Sequence, residues 1–228
     1  KKCVEKARHE TGKDVIDIFM LHEQESKLTL KGHWEAVEYL LDAKAKGIIR
    51  AIGVSTHTIE VVKAATTLDE FDIIHPIINV KGLGIQDGSL QEMEAAIERA
   101  YKKGKGIYAM KALGGGNLIG IKDKAFSYIL SFPYPHSVAV GMKSQDEIIA
   151  NTAIFEGKQV PRAVEQRLKI ERRNLLIEDW CEGCGQCVRH CRYDALKLIA
   201  GKAQVSPDNC ILCGYCAGYC PHFCIKIV

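Results

Sequence analysis

Nine of the ten cysteines fall between residues 181 and 224, and eight of them form two matching runs. The first, CEGCGQCVRHC, holds Cys181, Cys184, Cys187 and Cys191; the second, CILCGYCAGYC, holds Cys210, Cys213, Cys216 and Cys220. Each has the form C-x2-C-x2-C-x3-C. Thiolates spaced this closely can turn around one cluster edge, so each triplet suits three corners of a [4Fe–4S] cube. Zinc also uses C-x2-C pairs, but four ligands per ion would leave the third cysteine of each triplet without a role. A disulfide framework fits less well, because no signal peptide marks secretion and crowded cysteines in a reducing compartment more often hold metal. The spacing predicts a metal-centred domain over residues 177–228.

Composition narrows the partners. The chain has 228 residues, 47% hydrophobic and 26% charged, as in ordinary globular proteins. Its length suits one large domain, or a medium one with a small one. A net charge of +3 is too small to argue for nucleic acid. No run approaches the roughly 18 apolar residues of a membrane helix. The expectation is a cytoplasmic protein with neither nucleic-acid nor membrane partners.

Residues 1–157 alternate between two periods. Strand-length apolar runs occur at 14–21, 50–55, 72–80, 106–113 and 137–142, with helical segments at 32–47, 58–68, 89–104 and 124–132. Ser89 and Glu92 have capping-box spacing at the start of one helix. Such alternation predicts an α/β domain with a parallel sheet, and the absence of Gly-x-Gly-x-x-Gly after a strand favours a barrel over a dinucleotide-binding doubly wound sheet. In a barrel, chemistry gathers at the carboxyl ends of the strands. Those ends carry His22, Ser55-Thr56-His57, His75 and Asn79, Met110-Lys111 before Gly114-Gly115-Gly116, and Lys143-Ser144. Residues 158–176 form a basic segment expected to be a helical linker. Cys3 and Cys224 stand outside both runs and are expected to be small buried apolar residues.

Two resemblances add to this reading. The cysteine runs resemble a bacterial 2[4Fe–4S] ferredoxin module, with Pro221 after the second run and Arg192 in place of that proline after the first. In such modules the fourth cysteine of each run serves the other cluster. That rule assigns Cys181, Cys184, Cys187 and Cys220 to one cluster, and Cys210, Cys213, Cys216 and Cys191 to the other. DVIDIFMLHE, IRAIGVSTH, MKALGGG and VGMKSQDEIIAN resemble the fourth, fifth, seventh and eighth strands of the aldo-keto reductase family, in its branch with a C-terminal iron–sulfur domain. The fold implied is a (β/α)8 barrel, of which about strands 4–8 are present, followed by a small α+β ferredoxin-like domain.

The family moves hydride between a nicotinamide and a carbonyl with an Asp, a Tyr, a Lys and a His. The His matches His22, where an imidazole can polarise the carbonyl oxygen. The other three belong to strands upstream of KKCVEKARHE, so roughly 100 more residues are expected for a barrel of about 250, and the piece alone is expected to be inactive. Ser55 matches the serine that holds the nicotinamide carboxamide. Thr56, His75 and Met110 stand where Asn, Gln and Tyr are common, and Asn79 and Lys111 join the cofactor-binding set. Gly114 opens a glycine run suited to the pyrophosphate. Lys143, Ser144 and Asn151 match the adenosine grip, and a carboxylate at Glu147 would repel a 2′-phosphate, leaning NAD(H) over NADP(H). The resemblance implies a small carbonyl or alcohol substrate and a redox partner protein. Hydride carries two electrons and each cluster accepts one, so a second expectation is a ferredoxin-type carrier whose barrel is a docking or ligand-binding module.

Overall fold

The alternating pattern becomes repeated β–α units in the computed structural model, which describes residues 1–228. Strands β1 (Ile16–Leu21), β2 (Ile49–Thr56), β3 (Ile73–Pro76), β4 (Gly106–Met110) and β5 (Ser137–Ala139) pair in chain order within one sheet. The first four run parallel, with Ile16 opposite Ile49, Gly53 opposite Ile73, and Ile73 opposite Gly106. β2 lies between two neighbours and is buried on both faces, which is why it reads as a near-continuous apolar run. No helix is long and apolar enough to cross a membrane.

The helices are α1 (Lys2–Thr11), α2 (Lys27–Gly32), α3 (Trp34–Ala45), α4 (Ile59–Thr67), α5 (Leu90–Lys102), α6 (Lys122–Ser131), α7 (Gln145–Phe155), α8 (Arg162–Ile170) and the single turn α9 (Gln186–Arg189). α5 starts where its capping box places it: the Glu92 N–H donates to Ser89 Oγ at 3.3 Å and the Ser89 N–H donates to Glu92 Oε2 at 2.8 Å. α7 was not expected from its pattern. Ile148 and Ile149 are 50% and 45% exposed, so no one-sided apolar stripe announces the helix, while Ser144 caps it locally.

Other expectations shift. The strand predicted to reach residue 80 ends at Pro76. Beyond it, Asn79 builds a turn: its Oδ1 accepts from the N–H groups of Lys81 and Leu83, and its Nδ2 donates to Leu83 O. The helix expected over the basic segment stops at Ile170. Its last residues enter β6 (Leu175–Ile177), which pairs antiparallel with β9 (Ile225–Ile227), a partner some fifty residues away that no local pattern reveals. Cys3 is exposed, because α1 turns Val4 inward instead.

The chain forms two compact units. The first comprises 1–78, 85–110 and 134–138. Its core joins Ile52, Val54, Ile74 and Ile107 of the sheet to Val61, Val62 and Ala65 of α4 and to Met93, Ile97 and Ala100 of α5. The second comprises 79–84, 111–133 and 139–228. Here Leu175, Cys187, Leu196, Ala203, Cys216, Ala217 and Ile225 form a small core. The hairpin of β7 (Leu196–Ile199) and β8 (Lys202–Val205) contributes to it.

Candidate metal centres and strand-end rim

The cysteine runs share a backbone path. Gly183 and Leu212 occupy the same motif position with φ of 68° and 55°, and Gly185 and Gly214 follow with φ of 74° and 73°. Left-handed residues within such loops turn successive N–H groups into anion-binding nests, which suit a thiolate-ligated cluster. Leu212 adopts this conformation at a cost of about 1 kcal/mol.

The thiols separate into two groups. Cys181, Cys184, Cys187 and Cys220 line one cavity, joined by Cys224. Cys191, Cys210, Cys213 and Cys216 line the other, with Arg192 and Tyr215 at its side. Cys191 thus faces the second triplet and Cys220 the first. Each cavity is ringed by four thiols drawn from both runs. Burial pushes the Cys216 thiol up to about 12, with Cys213, Cys187, Cys210 and Cys191 adding to the shift. Burial also raises Cys187, and Cys220, Cys181 and Cys184 reinforce it. Thiols crowded in this way ionise only when cations lie among them, which is what iron supplies. The donor set fits two [4Fe–4S] clusters.

Cys224 lies one residue before β9 and is 1% exposed. Its backbone N–H donates to Cys220 Sγ at 3.2 Å. Arg192, at the position of the missing proline, places its guanidinium 5.9 Å from the centre of the Tyr215 ring.

In the first unit, His22 follows β1 and is exposed. The residues after it are tied to the end of β2. Ser55 Oγ accepts from the Glu23 N–H at 2.8 Å, and Thr56 Oγ1 donates to Gln24 O at 2.6 Å. His57, buried, has its Nδ1 3.6 Å from Glu23 Oε1. His57 of GVSTH is a strand-end residue by sequence, whereas Glu23 joins the rim only through this pairing. His75 stacks on Tyr108, with ring centres 4.4 Å apart, and its Nδ1 meets Tyr108 O. Met110 ends β4 half-buried, its carbonyl accepting from the Ile78 N–H.

The remaining candidates belong to the second unit. Asn79 is fully buried in its own turn. Lys111 is left-handed, with φ of 62° and Nζ 5.9 Å from the centre of the Phe223 ring. Gly114 accepts at its carbonyl from Asn117 Nδ2 at 2.8 Å. Ser144 caps α7, and Asn151 lies half-buried along it. Glu147 accepts from the Lys143 N–H at 2.7 Å and pairs with Arg173 Nη2 at 2.6 Å, while Lys143 Nζ donates to Arg172 O at 3.1 Å. Burial works to raise the Glu147 carboxyl, but the Lys143 N–H and the Arg173 guanidinium outweigh it and hold the carboxyl below its usual range.

The two side chains of the Glu147–Arg173 pair are only 13% and 16% exposed, so removing one partner strands a charge. Arg173→Met should destabilise the second unit by about 3 kcal/mol, and the double change with Glu147→Gln should recover most of it. Thermal unfolding followed by circular dichroism checks both. The folded carboxyl titrates below its unfolded value, so this stability is present above about pH 4.3 and fades as pH falls through the folded value. Arg173→Met should flatten that dependence.

The aldo/keto reductase family pattern matches residues 1–126, more than half of the chain. The chain belongs to the aldo/keto reductase family. A 4Fe–4S dicluster domain matches residues 173–221, so this family member carries an iron–sulfur domain fused to its α/β part. Among solved structures, a protein from Pseudomonas aeruginosa assigned as an aldo-keto reductase is similar at 23% identity and a TM-score of 0.56. That match covers 68% of this chain and 57% of the other. The aldo-keto reductase AKR11C1 from Bacillus halodurans, in its apo form, is similar at 18% identity and a TM-score of 0.54, covering 74% of this chain and 66% of the other. Both likenesses show the fold, and the aldo/keto reductase chain described here spans less than two thirds of either structure's length. No curated protein matches it.

Proposed function

We propose that the chain is an oxidoreductase whose electrons pass through two [4Fe–4S] clusters held by crossed ligation, and whose strand-end rim takes a small carbonyl or alcohol. The partition of eight thiols around two cavities, each mixing residues from both runs, carries the reading. When bound, each cluster stores and passes one electron. Cys181, Cys184, Cys187 and Cys220 would hold one, and Cys191, Cys210, Cys213 and Cys216 the other. The protein supplies nests of N–H groups to the sulfurs and a small apolar core that limits water. At the rim, the exposed His22 would donate to a carbonyl oxygen as charge develops on it. Iron and sulfide analysis of anaerobically prepared protein should approach about eight of each per chain. Stoichiometric zinc with little iron would remove the reading.

The nicotinamide expectation divides between the units. Ser55, Thr56, His75 and Met110 lie at strand ends of the first, as a nicotinamide would require. In the second unit, Asn79, Gly114, Lys143, Ser144 and Glu147 are engaged by neighbours within that unit, and they do not fit the remainder of the dinucleotide. The lean towards NADH also loses its basis, because Arg173 neutralises Glu147. The carrier alternative gains from Ser55, Thr56 and His75, whose polar atoms bond within the fold. A redox partner protein that exchanges electrons with the clusters belongs to both readings.

A further inference from the structure

We infer that residues 114–117 form a clasp for the C-terminal strand, and that this chain takes no dinucleotide pyrophosphate at its glycine run. A phosphate cradle needs glycines whose missing side chains leave open space for the ligand. Here that space is filled by protein. A Cβ on Gly116, whose φ is 86°, would lie 1.9 Å from Ile227 O. One on Gly115, whose φ is 63°, would lie 2.7 Å from Lys226 Cδ. The Gly115 carbonyl accepts from the Ile227 N–H at 3.0 Å. β9 is thus held on two sides, by β6 through its ladder and by the glycine run.

Asn117 completes the clasp. It is 8% exposed, and its Nδ2 donates to Gly114 O and Ile225 O, both at 2.8 Å. Its backbone carbonyl oxygen would lie 2.6 Å from a Cβ on Gly214, within the second cysteine run, so the same residue reaches both β9 and a cluster-binding loop. Lys226 would be the natural cation for a phosphate beside the run. Its ammonium is instead committed to Phe223, over whose ring it lies 3.3 Å from the centre and whose carbonyl it bonds. Lysine and glycines alike serve the closing strand.

The test uses cluster-loaded full-length protein and stands apart from the cluster reading, which iron and sulfide decide. Calorimetric titration with NADH and with NADPH, paired with amide exchange, should leave exchange at residues 113–118 unchanged up to millimolar nucleotide. Saturable binding with unchanged exchange there places the nucleotide elsewhere and supports the clasp. Binding that slows those amides overturns it. Gly116→Ala should speed exchange at residues 225–228 at least tenfold, whereas Gly120→Ala, whose Cβ would meet nothing within 4 Å, should not. If Gly116→Ala does not fold, Asn117→Ala, which removes two bonds and adds no atoms, should give the same faster exchange. Wild-type exchange at 225–228 in either folded variant sinks the proposal.

Discussion

Replacing Cys191 by Ala should halve the iron content, from about eight to about four per chain, and the lost cluster should be the one bound by the other run. The reason is spatial. Cys191 ends the first run in sequence, yet it lines the cavity of Cys210, Cys213 and Cys216. Total iron alone does not say which cluster is lost, so the pairing is read from double variants. Cys191→Ala combined with Cys213→Ala should lose no more iron than either alone, since both ligands serve one cluster. Combined with Cys184→Ala, it should lose both clusters. Such non-additivity is the signature of groups acting as a unit. Additivity in the first pair, with none in the second, would mean that each run holds its own cluster. Cys224→Ala is the internal control. It removes a thiol that lines the first cavity, but Cys220 receives its hydrogen bond from the Cys224 backbone, which the variant keeps.

Features fixed by neighbours along the chain were legible, and those fixed by distant partners were not. The cysteine runs declare themselves because a cluster needs several ligands within a few residues, and β2 because burial on both faces leaves it almost uniformly apolar. The capping box at Ser89 is equally local. Arg173 gave no comparable signal: it reads as one more arginine in a basic segment, and only the fold brings it to Glu147. The charge argument made from Glu147 lacked the same information, since a carboxylate's effect depends on what already pairs with it. Residues 114–117 show the difficulty most sharply. Three glycines after a strand suit a phosphate and suit an approaching strand equally well, and the residue that packs against them, Ile227, lies more than a hundred residues away. Asn79 likewise reads as a strand-end donor, while its bonds close a turn.

The exposed His22 is the rim group whose loss separates an enzyme from a carrier. His22→Ala should lower carbonyl turnover by roughly ten- to a thousandfold, the range for removing one oriented donor from a developing oxyanion. The assay follows consumption of a small carbonyl by chemically reduced full-length protein, which supplies the two electrons and leaves two protons to be taken up. Ser55, Thr56 and His75 already bond within the fold, so they offer little to replace the lost imidazole. His22→Gln keeps a donor near the same place and should retain more activity than the alanine variant. Neither change should alter iron content or the reduced spectrum, because His22 lies in the first unit and lines neither thiol cavity. A drop in turnover accompanied by iron loss would point to damage to the protein instead. Equal turnover in wild type and His22→Ala, or wild-type turnover no faster than buffer, would leave the rim without chemistry. Electron transfer through the clusters to a partner would then be the whole function.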